Sequence, residues 1–472
     1  MDHTAPLTKP YDLLVTNARL VLPDGVRQGA LAVADGRIAR VLTTPQAPLP
    51  AAVEHLDAAG RHVLPGIIDS HVHFRTPGLT HKETWFHGSR AAAAGGVTTV
   101  IDMPNTQPPL HTPEQALAKA ELIAGQSLVD YRFHFGVGEN TVDALRDLTP
   151  RIATSVKIFM TGHHTAPHVI RDPDILGRVF ATAADRDLRL VLHAEDDGIF
   201  RLLDGNHTQP ADYATYEAHR PRSAGIVAVT KVIELVRRYG TAAHILHVSS
   251  HEETELLHAA HAAGLPLTYE TTPHHLSFTA SDTRRLGARI RLSPAIREDR
   301  DQRSLWQAVT SRTITTLGSD HAPHTTEEKA RPAPDAPPGL PGVQELLIAV
   351  YTGLRRRFPD TPVDDHLTTL ARLCAAHPAA LFGLDRHKGA LVEGLDADFV
   401  IFDPDTTWHM SADKAHTKHR WSAYEGWTFT GHVDVTVRRG QVIWDGTDFG
   451  QPEGRWLDAH PLHLDTPQPA HT

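Results

Sequence analysis

The stretch 62-HVLPGIIDSHVHFRTPG-78 joins an apolar run of β-strand character to a row of polar residues. In a strand, residues two apart point to the same face, so His71, His73 and Arg75 project together if the strand continues. Two imidazoles that converge on one point are a metal-ligand arrangement. The alternative is a pair of ordinary surface histidines, because the chain has 34 histidines among its 472 residues. The rest of the chain has to decide between the two.

Seven further apolar runs of strand character follow, and most gaps between them carry an amphipathic or Ala/Leu-rich helix pattern. Eight β–α units in about 320 residues predict an α/β fold, a (β/α)8 barrel of the TIM type with insertions. An open doubly wound sheet is the alternative, but no Gly-rich phosphate-binding turn follows the first strand. The predicted strands are 63–71, 97–103, 130–137, 155–160, 188–194, 243–248, 265–272 and 314–320, and the clearest helices are 84–94, 226–240 and 252–264.

The two ends of the chain show a different pattern. Residues 11–64 and 390–446 have the alternation of short strands separated by turns, such as the turn at Asp24-Gly25. Each block is too small to form a good core alone, so we expect the two to pair into one composite β-sandwich. The predicted domains are the N-terminal part of the sandwich (1–64), the barrel (65–389), the C-terminal part of the sandwich (390–450) and an extended or disordered tail (451–472).

Composition excludes several classes of protein. The formal net charge is −10 and no basic stripe stands out, which argues against nucleic acid as a partner. No run approaches 18 apolar residues and the N-terminus lacks a secretory pattern, so we expect a soluble cytoplasmic protein without a membrane partner. The single cysteine, Cys374, excludes an intrachain disulfide and is predicted to be a core residue.

Polar side chains recur where the predicted strands end. In a (β/α)8 barrel the chemistry lies at the C-terminal ends of the strands. One histidine at a strand end is more often an ordinary polar terminus than a ligand, but recurrence at the same structural position favours a metal site. Imidazole and carboxylate ligands suit zinc or similar divalent ions. The residues at these positions are His71, His73, Lys157, His193, His247 and Asp320.

Lys157 is the unusual member of this group. A lysine of ordinary pKa is protonated and would be repelled by divalent cations. One interpretation is a strand-end lysine that keeps its ammonium in water. The other is a carbamate, formed when CO2 carboxylates the amine, that bridges two metal ions.

Five longer motifs add a resemblance that covers nearly the whole chain, including the strands at both ends. Together they resemble the binuclear metal branch of the amidohydrolase superfamily and, within it, the dihydroorotases. The combination is specific, whereas each motif alone is not. The motifs are 71-HVHFRTPGLTHKETW-85, 91-AAAAGGVTTVIDMPNT-106, 246-LHVSS-250, 271-TTPHHL-276 and 319-SDHAPHTTEEKA-330.

The resemblance implies two divalent metal ions, with Zn²⁺ the metal that the ligand set favours. His71 and His73 would bind one ion together with Asp320. A second pair, His193 and His247, would bind the other ion. Carboxylated Lys157 would bridge the two.

The resemblance also implies a reaction. Arg75, Asn105 and His324 match the residues that bind the ring carboxylate in the family. The expected activity is the reversible hydrolysis of the cyclic amide of (S)-dihydroorotate to N-carbamoyl-L-aspartate, a step of pyrimidine synthesis. A metal-bridging hydroxide would be the nucleophile, and Asp320 would act as general base and then acid. The Pro-rich stretch 331–342 is predicted to line the ring pocket, although a plain surface loop is the alternative.

Some residues depart from the family pattern and keep other functions open. Thr76 and the Ser293-Pro294-Ala295 stretch differ from the usual dihydroorotase residues, and His163 and His164 have no counterpart. A hydantoinase-like or allantoinase-like cyclic amidohydrolase is therefore the main alternative. A non-catalytic scaffold for aspartate carbamoyltransferase is disfavoured because every ligand is kept, although an active enzyme could also bind that partner. We expect a homo-oligomer, either a dimer or a tetramer.

Overall fold

The computed structural model describes residues 10–43, 49–162, 169–204, 213, 216–333 and 335–462. Its strands are β1 (Tyr11–Leu22), β2 (Gly25–Ala34), β3 (Arg37–Leu42), β4 (Ala52–Asp57), β5 (His62–Pro65), β6 (Ile67–Val72), β7 (Val97–Asp102), β8 (Asp130–Phe133), β9 (Phe135–Gly136), β10 (Ser155–Phe159), β11 (Arg189–His193), β12 (Ala243–Ile245), β13 (Leu267–Thr271), β14 (Thr316–Leu317), β15 (Phe399–His409), β16 (Thr428–Arg438) and β17 (Gln441–Trp444). Its α-helices are α1 (Trp85–Ala94), α2 (Pro113–Ile123), α3 (Pro173–Asp185), α4 (Asp197–Asp204), α5 (Tyr216–His219), α6 (Arg222–Tyr239), α7 (His251–Ala262), α8 (Pro273–Ser277), α9 (Thr283–Leu286), α10 (Asp299–Thr310), α11 (Thr326–Lys329), α12 (Leu346–Arg357), α13 (Val363–Ala371) and α14 (His377–Leu381).

Strands β6 to β14 form the central barrel. They are buried along their whole length, because helices cover one side and the packed interior covers the other. All pairings between them are parallel. His134 alone separates β8 from β9, so these two strands share one position and the ring has eight positions.

The ring of strands closes, which distinguishes a barrel from an open sheet. Hydrogen bonds order the strands as β6-β7-β8 and as β14-β13-β12-β11-β10-β9. Val72 of β6 pairs in parallel with His321, just beyond β14, and the N–H of His73 donates to the carbonyl of His321 at 2.8 Å. The predicted (β/α)8 barrel is therefore confirmed, and the doubly wound alternative is wrong.

Helices begin and end at signals that the sequence carries. The side chain of Thr84 accepts a hydrogen bond from the backbone at the start of α1, and Ser250 and Glu253 form a capping box at the start of α7. Helix α6 ends where Gly240 adopts a left-handed φ of +70°. The three clearest predicted helices correspond to α1, α6 and α7.

The terminal strands form one sheet in the order β17-β16-β15-β5-β1-β2-β3, with β4 paired to β1. The N-terminal and C-terminal blocks join through the antiparallel pair β5–β15. The sheet folds over on itself, because a Cβ placed on Gly36, between β2 and β3, would lie 3.2 Å from the carbonyl oxygen of Arg439, between β16 and β17. The folded sheet encloses its own apolar core, which includes Leu20, Leu31 and Phe399.

The boundary between sheet and barrel is abrupt. Strands β5 and β6 belong to different sheets although only Gly66 separates them, so the predicted strand 63–71 is divided here. A Cβ at Gly66 would lie 2.3 Å from Oγ1 of Thr98, which shows why glycine is needed at this contact. A buried ion cluster also joins the two parts: Nζ of Lys388 lies 2.7 Å from a carboxylate oxygen of Asp130 in β8 and 2.7 Å from one of Asp398.

The C-terminal segment from 451 to 462 is extended and packs against the barrel. The N–H of Tyr131 in β8 donates to the carbonyl of Arg455, and the N–H of Leu457 donates to the carbonyl of Tyr131. Within the described ranges, we find no helix that is both long and apolar enough to cross a membrane.

Candidate metal centre

All six residues predicted as metal ligands line one cavity at the C-terminal ends of the barrel strands. Three of them lie inside β6, β10 and β11, and the other three follow β6, β12 and β14 by one to three residues. The parallel arrangement brings these strand ends to the same mouth of the barrel. The six residues are His71, His73, Lys157, His193, His247 and Asp320.

His71, His73 and Asp320 form the tightest group. Oδ1 of Asp320 lies 3.1 Å from Nε2 of His71 and 3.2 Å from Nε2 of His73. Burial raises the pKa of Asp320, but the charges and hydrogen bonds of the two imidazoles outweigh it and hold that pKa well below its ordinary value. Ligand atoms of the three residues all lie within 4.8 Å of one another, which a metal ion could bridge.

His193 and His247 form a second pair beside the first group. Nδ1 of His193 lies 3.0 Å from Nε2 of His247, and the ring of His247 has its centroid 5.3 Å from that of His71. Burial lowers the pKa of both imidazoles, well below the ordinary value for His247. Neutral imidazole is the form of histidine that binds metal ions.

Lys157 lies in β10 and lines the same cavity as these two groups of side chains. Its side chain is buried, and Nζ lies 4.6 Å from the centroid of the Phe159 ring. Burial lowers the pKa of Lys157 to about 7, while the charges of Asp320 and Glu270 act in the opposite direction. A substantial fraction of this amine is therefore uncharged at neutral pH, and the uncharged amine is the form that reacts with CO2.

Arg75 lines the cavity, but its backbone is not part of the extended strand that the alternating pattern predicts. Strand β6 ends at Val72, and Arg75 adopts a left-handed φ of +60°, so the strand does not continue to it. The side chain nevertheless lines the same cavity and is only 2% exposed. Asn105 also lines the cavity, and its Oδ1 lies 2.8 Å from Nδ1 of His73.

His324, the third predicted substrate contact, is fully buried beside Arg75. Its Nε2 lies 3.5 Å from Nη2 of Arg75 and 3.0 Å from the carbonyl oxygen of Pro338. Pro338 and Gly339 line the cavity in front of it, so the predicted Pro-rich stretch contributes to the cavity wall. His324 lies behind this wall and is not among the residues that line the cavity, so its contact with substrate stays a prediction.

Comparison with known proteins identifies the family. The model described as "Amidohydrolase family" matches residues 62–443. The chain belongs to the amidohydrolase family. An allantoinase of Streptomyces avermitilis is 34% identical over 451 residues, which cover 95% of this chain and 99% of the relative. A dihydroorotase of Halobacterium salinarum is 37% identical over 407 residues, which cover 84% and 90% of the two chains.

Solved structures agree with this assignment. An L-hydantoinase (dihydropyrimidinase) from Arthrobacter aurescens has a TM-score of 0.88 and 28% identity, with 94% of this amidohydrolase and 99% of that chain covered. The fold and the enzymes among its relatives show that this amidohydrolase is a hydrolase of cyclic amides. Because those relatives carry different substrate names, similarity alone does not decide which ring it opens.

Two buried glutamates of this amidohydrolase complete the site, and the sequence patterns gave neither of them a role. Oε1 of Glu270, at the end of β13, lies 2.5 Å from Nδ1 of His71. Oε2 of Glu195, two residues beyond β11, lies 2.7 Å from Nε2 of His193, and Arg220 pairs with the same carboxylate. Carboxylates that hold the outer nitrogen of an imidazole fix its orientation toward a metal. An acidic residue at a barrel strand end is the sequence signal that could have indicated both.

Histidines outside the cavity have structural contacts. In the TTPHHL motif, Nε2 of His274 lies 2.8 Å from the carbonyl oxygen of Ser319, next to Asp320. Nε2 of His275 lies 3.3 Å from the carbonyl oxygen of Pro294, and the adjacent Ser293 lines the cavity. These contacts fix two segments that border the site. His163 and His164 lie outside the described residues.

Proposed function

We propose that this amidohydrolase is a dihydroorotase, which opens the ring of (S)-dihydroorotate to N-carbamoyl-L-aspartate and closes it in the reverse direction. The observation that carries the proposal is a buried arginine in the wall of the cavity, beside the candidate metal ligands. Arg75 is suited to a substrate whose ring bears a carboxylate, because a guanidinium binds a carboxylate with two parallel hydrogen bonds.

The charge and the hydrogen bonding of Arg75 support an anionic ligand. Burial lowers its pKa to about 10, so the guanidinium stays charged at neutral pH. Its Nε has no hydrogen-bond partner in the part of the chain that the structure describes. The carboxylates of Asp320 and Asp102 already favour the charged form. A ring carboxylate in the cavity would add a directly bonded counter-charge and supply the missing acceptor.

We further propose that the six clustered residues would hold two divalent metal ions, with Lys157 as a carboxylated ligand. The donor set fits zinc, since imidazole and carboxylate are its common ligands. His71, His73 and His193 each have one ring nitrogen held by Glu270, Asn105 or Glu195, while the other faces the cavity. When bound, the ions would polarise the ring carbonyl and make water acidic enough to react at neutral pH.

Asp320 is proposed to move the proton. Its carboxyl is ionised at neutral pH, because its pKa lies well below the ordinary value. It accepts a proton from the attacking water at a carboxylate oxygen. It then returns that proton to the ring nitrogen as the carbon–nitrogen bond breaks, acting first as base and then as acid.

Allantoinase is the second candidate, because the allantoinase of Streptomyces avermitilis covers more of this chain than the dihydroorotase of Halobacterium salinarum does. The two candidates differ in what they require from Arg75. Allantoin carries a neutral ureido group, so it would leave the buried guanidinium without a carboxylate partner.

The test is ring opening by the purified protein in bicarbonate with added zinc, with dihydroorotate, allantoin and hydantoin compared side by side. We expect turnover of dihydroorotate, and we expect Arg75→Lys to raise its KM by at least 10-fold, since the loss of one paired hydrogen bond to a charged group costs about 1.5–3 kcal/mol. Arg171→Lys, at an exposed ion pair with Asp197, is the matched control. Turnover of allantoin or hydantoin in place of dihydroorotate would overturn the proposed substrate.

A further inference from the structure

The segment Pro337–Gly339 forms part of the cavity wall, and side chains from one short stretch hold its backbone. Pro338 and Gly339 line the cavity. Nζ of Lys329 donates to the carbonyl of Pro337 at 2.9 Å and to that of Gly339 at 2.8 Å. The carbonyl of Pro338, between them, lies 3.0 Å from Nε2 of His324. Three consecutive carbonyls therefore have a donor from the SDHAPHTTEEKA motif.

The contact at Nδ1 of His324 determines whether Nε2 donates a hydrogen bond to the carbonyl of Pro338. Nζ of Lys82 lies 3.0 Å from Nδ1 of His324. An ammonium only donates, so Nδ1 has to accept, and the proton of a neutral imidazole is then on Nε2. The carbonyl of Pro338 only accepts, so the two shortest contacts of His324 require the same tautomer. Nη2 of Arg75 is also a donor beside Nε2, but at 3.5 Å it is the longer contact.

Glu328 shows what would happen without Lys82. Its Oε1 anchors Nζ of Lys82 at 2.8 Å, and its Oε2 lies 3.4 Å from Nδ1 of His324. If Lys82 were replaced by an apolar side chain, the imidazole could carry its proton on Nδ1, and Glu328 could accept a hydrogen bond from that N–H. Nε2 would then carry a lone pair toward the carbonyl of Pro338, and the wall would lose its central donor.

The amine of Lys329 is buried at a cost in free energy. It is 8% exposed, and the ring of Trp421 lies 5.9 Å from its Nζ. Burying an amine is costly compared with burying an apolar side chain of similar volume. The two hydrogen bonds to Pro337 and Gly339 are therefore what lysine contributes here that methionine could not.

We propose that Lys82 and Lys329 are positioning residues that hold the segment Pro337–Gly339 as a rigid wall of the cavity. Lys329 acts directly, and Lys82 acts through the imidazole of His324. The wall restricts which cyclic amide can lie between Arg75 and the candidate metal ligands. This inference rests on the proposed function for the choice of ring, but the holding of the wall does not depend on that choice.

The first test is hydrogen exchange followed by mass spectrometry, which needs no substrate. The amide of Gly339 donates to the carbonyl of Arg291 at 2.9 Å, so it reports on the wall. Lys82→Met and Lys329→Met should each speed exchange in peptides that cover 335–345, with the melting temperature of the protein little changed. The matched control is Lys418→Met, which removes a lysine that bonds to the carbonyl of Thr80 near Lys82 but does not touch His324.

The second test is kinetic, with whichever of dihydroorotate, allantoin and hydantoin the wild-type protein opens. Both variants should raise KM for the preferred ring by up to about 100-fold while kcat changes little, and they should discriminate less between rings. Lys82→Arg, which keeps a donor, should recover part of the loss.

Unchanged exchange at 335–345 in both variants would overturn the proposal, whatever the substrate proves to be. A loss of kcat with bound metal, at unchanged KM, would also overturn it, since the lysines would then support the metal centre instead of the wall. A third outcome is that the wild type fails to open dihydroorotate while the variants still show faster hydrogen exchange at 335–345. That result would contradict the proposed function but not the role of the two lysines.

Discussion

Oε1 of Glu270 lies 2.5 Å from Nδ1 of His71, although 199 positions separate the two residues in the chain. Burial raises the pKa of Glu270, but the imidazoles of His71 and His244 outweigh it and lower that pKa to about 2. The carboxylate is therefore charged and fixes Nδ1 of His71, so that Nε2 faces Asp320 and the cavity. This pair connects β13 to β6 across the barrel interior.

Glu270→Gln should weaken zinc binding by about 10- to 100-fold, because an amide holds the imidazole less firmly than a carboxylate does. Competition with a chelator of known affinity measures the change. Glu252→Gln, at a partly exposed ion pair with Arg222, is the control. Zinc affinity equal to that of the wild type would show that His71 needs no carboxylate to orient it.

Asp320→Asn should lower kcat by at least about 100-fold, since the amide cannot accept and return a proton. The amide oxygen can still face Nε2 of His71 and His73, so we expect most of the metal to remain bound. Turnover and metal content, measured on the same preparation, check both parts. Activity retained at full metal content would exclude Asp320 as the proton carrier.

Lys157→Ala should lose metal and activity together if the lysine is carboxylated. Short carboxylic acids in the buffer should restore part of the activity, because the space left by the side chain can hold a carboxylate that replaces the carbamate. Carbon-13 NMR after growth or exchange in labelled bicarbonate should show a carbamate signal in the wild type and none in the variant. A wild-type protein that binds metal fully without this signal would contradict the carbamate.

Glu345 should make stability depend on pH. Burial raises its pKa to about 7, and the hydroxyl of Ser422 donates to its Oε1 at 2.7 Å. The folded state keeps the proton up to about pH 7, whereas an unfolded chain releases it near the ordinary value of 4.5. The folded state therefore binds more protons in this window, and the free energy of unfolding falls as pH rises, by up to about 3 kcal/mol.

Glu345→Gln should remove this fall, because the amide does not ionise and keeps an oxygen for Ser422. Thermal unfolding between pH 5 and pH 8 provides the comparison, with Glu425→Gln at an exposed ion pair as the control. If the wild type and Glu345→Gln changed in parallel over this range, the carboxyl of Glu345 would not be the group responsible.

Local patterns in the sequence were sufficient to predict most of the candidate metal ligands. His71 and His73 follow from the two-residue period of a strand, and Lys157 and His193 follow from the ends of buried apolar runs. The pattern failed at Arg75, because the strand ends at Val72 and the chain turns with a positive φ. A turn of this kind depends on neighbouring segments that the alternation of side chains does not describe.

Contacts between distant segments could not be predicted from local patterns. Glu270 lies inside a strand that the sequence predicts, yet nothing near it in the chain indicates that His71 is its partner. Lys82 belongs to a motif that resembles the family, yet its hydrogen bond to His324 joins a loop that follows β6 to one that follows β14. The hydrogen bond from Lys329 to Pro337 lies within the segment after β14, and the path of that segment is likewise not described by the local pattern. Such pairs require the register and closure of the barrel to be known.

Local patterns were enough to predict the barrel, the pairing of the two chain ends and six of the polar side chains that gather at the strand ends. They could do so because strand and helix periods are local, and parallel strands bring their C-terminal ends to one mouth. These patterns did not predict which carboxylate holds which imidazole, where Arg75 points or what holds the wall at Pro338; these came from the folded structure. The first two arise from contacts of 2.5–3.5 Å between residues about 200 or more positions apart, which closure of the barrel brings together. The third depends on how the segment after β14 folds back on itself.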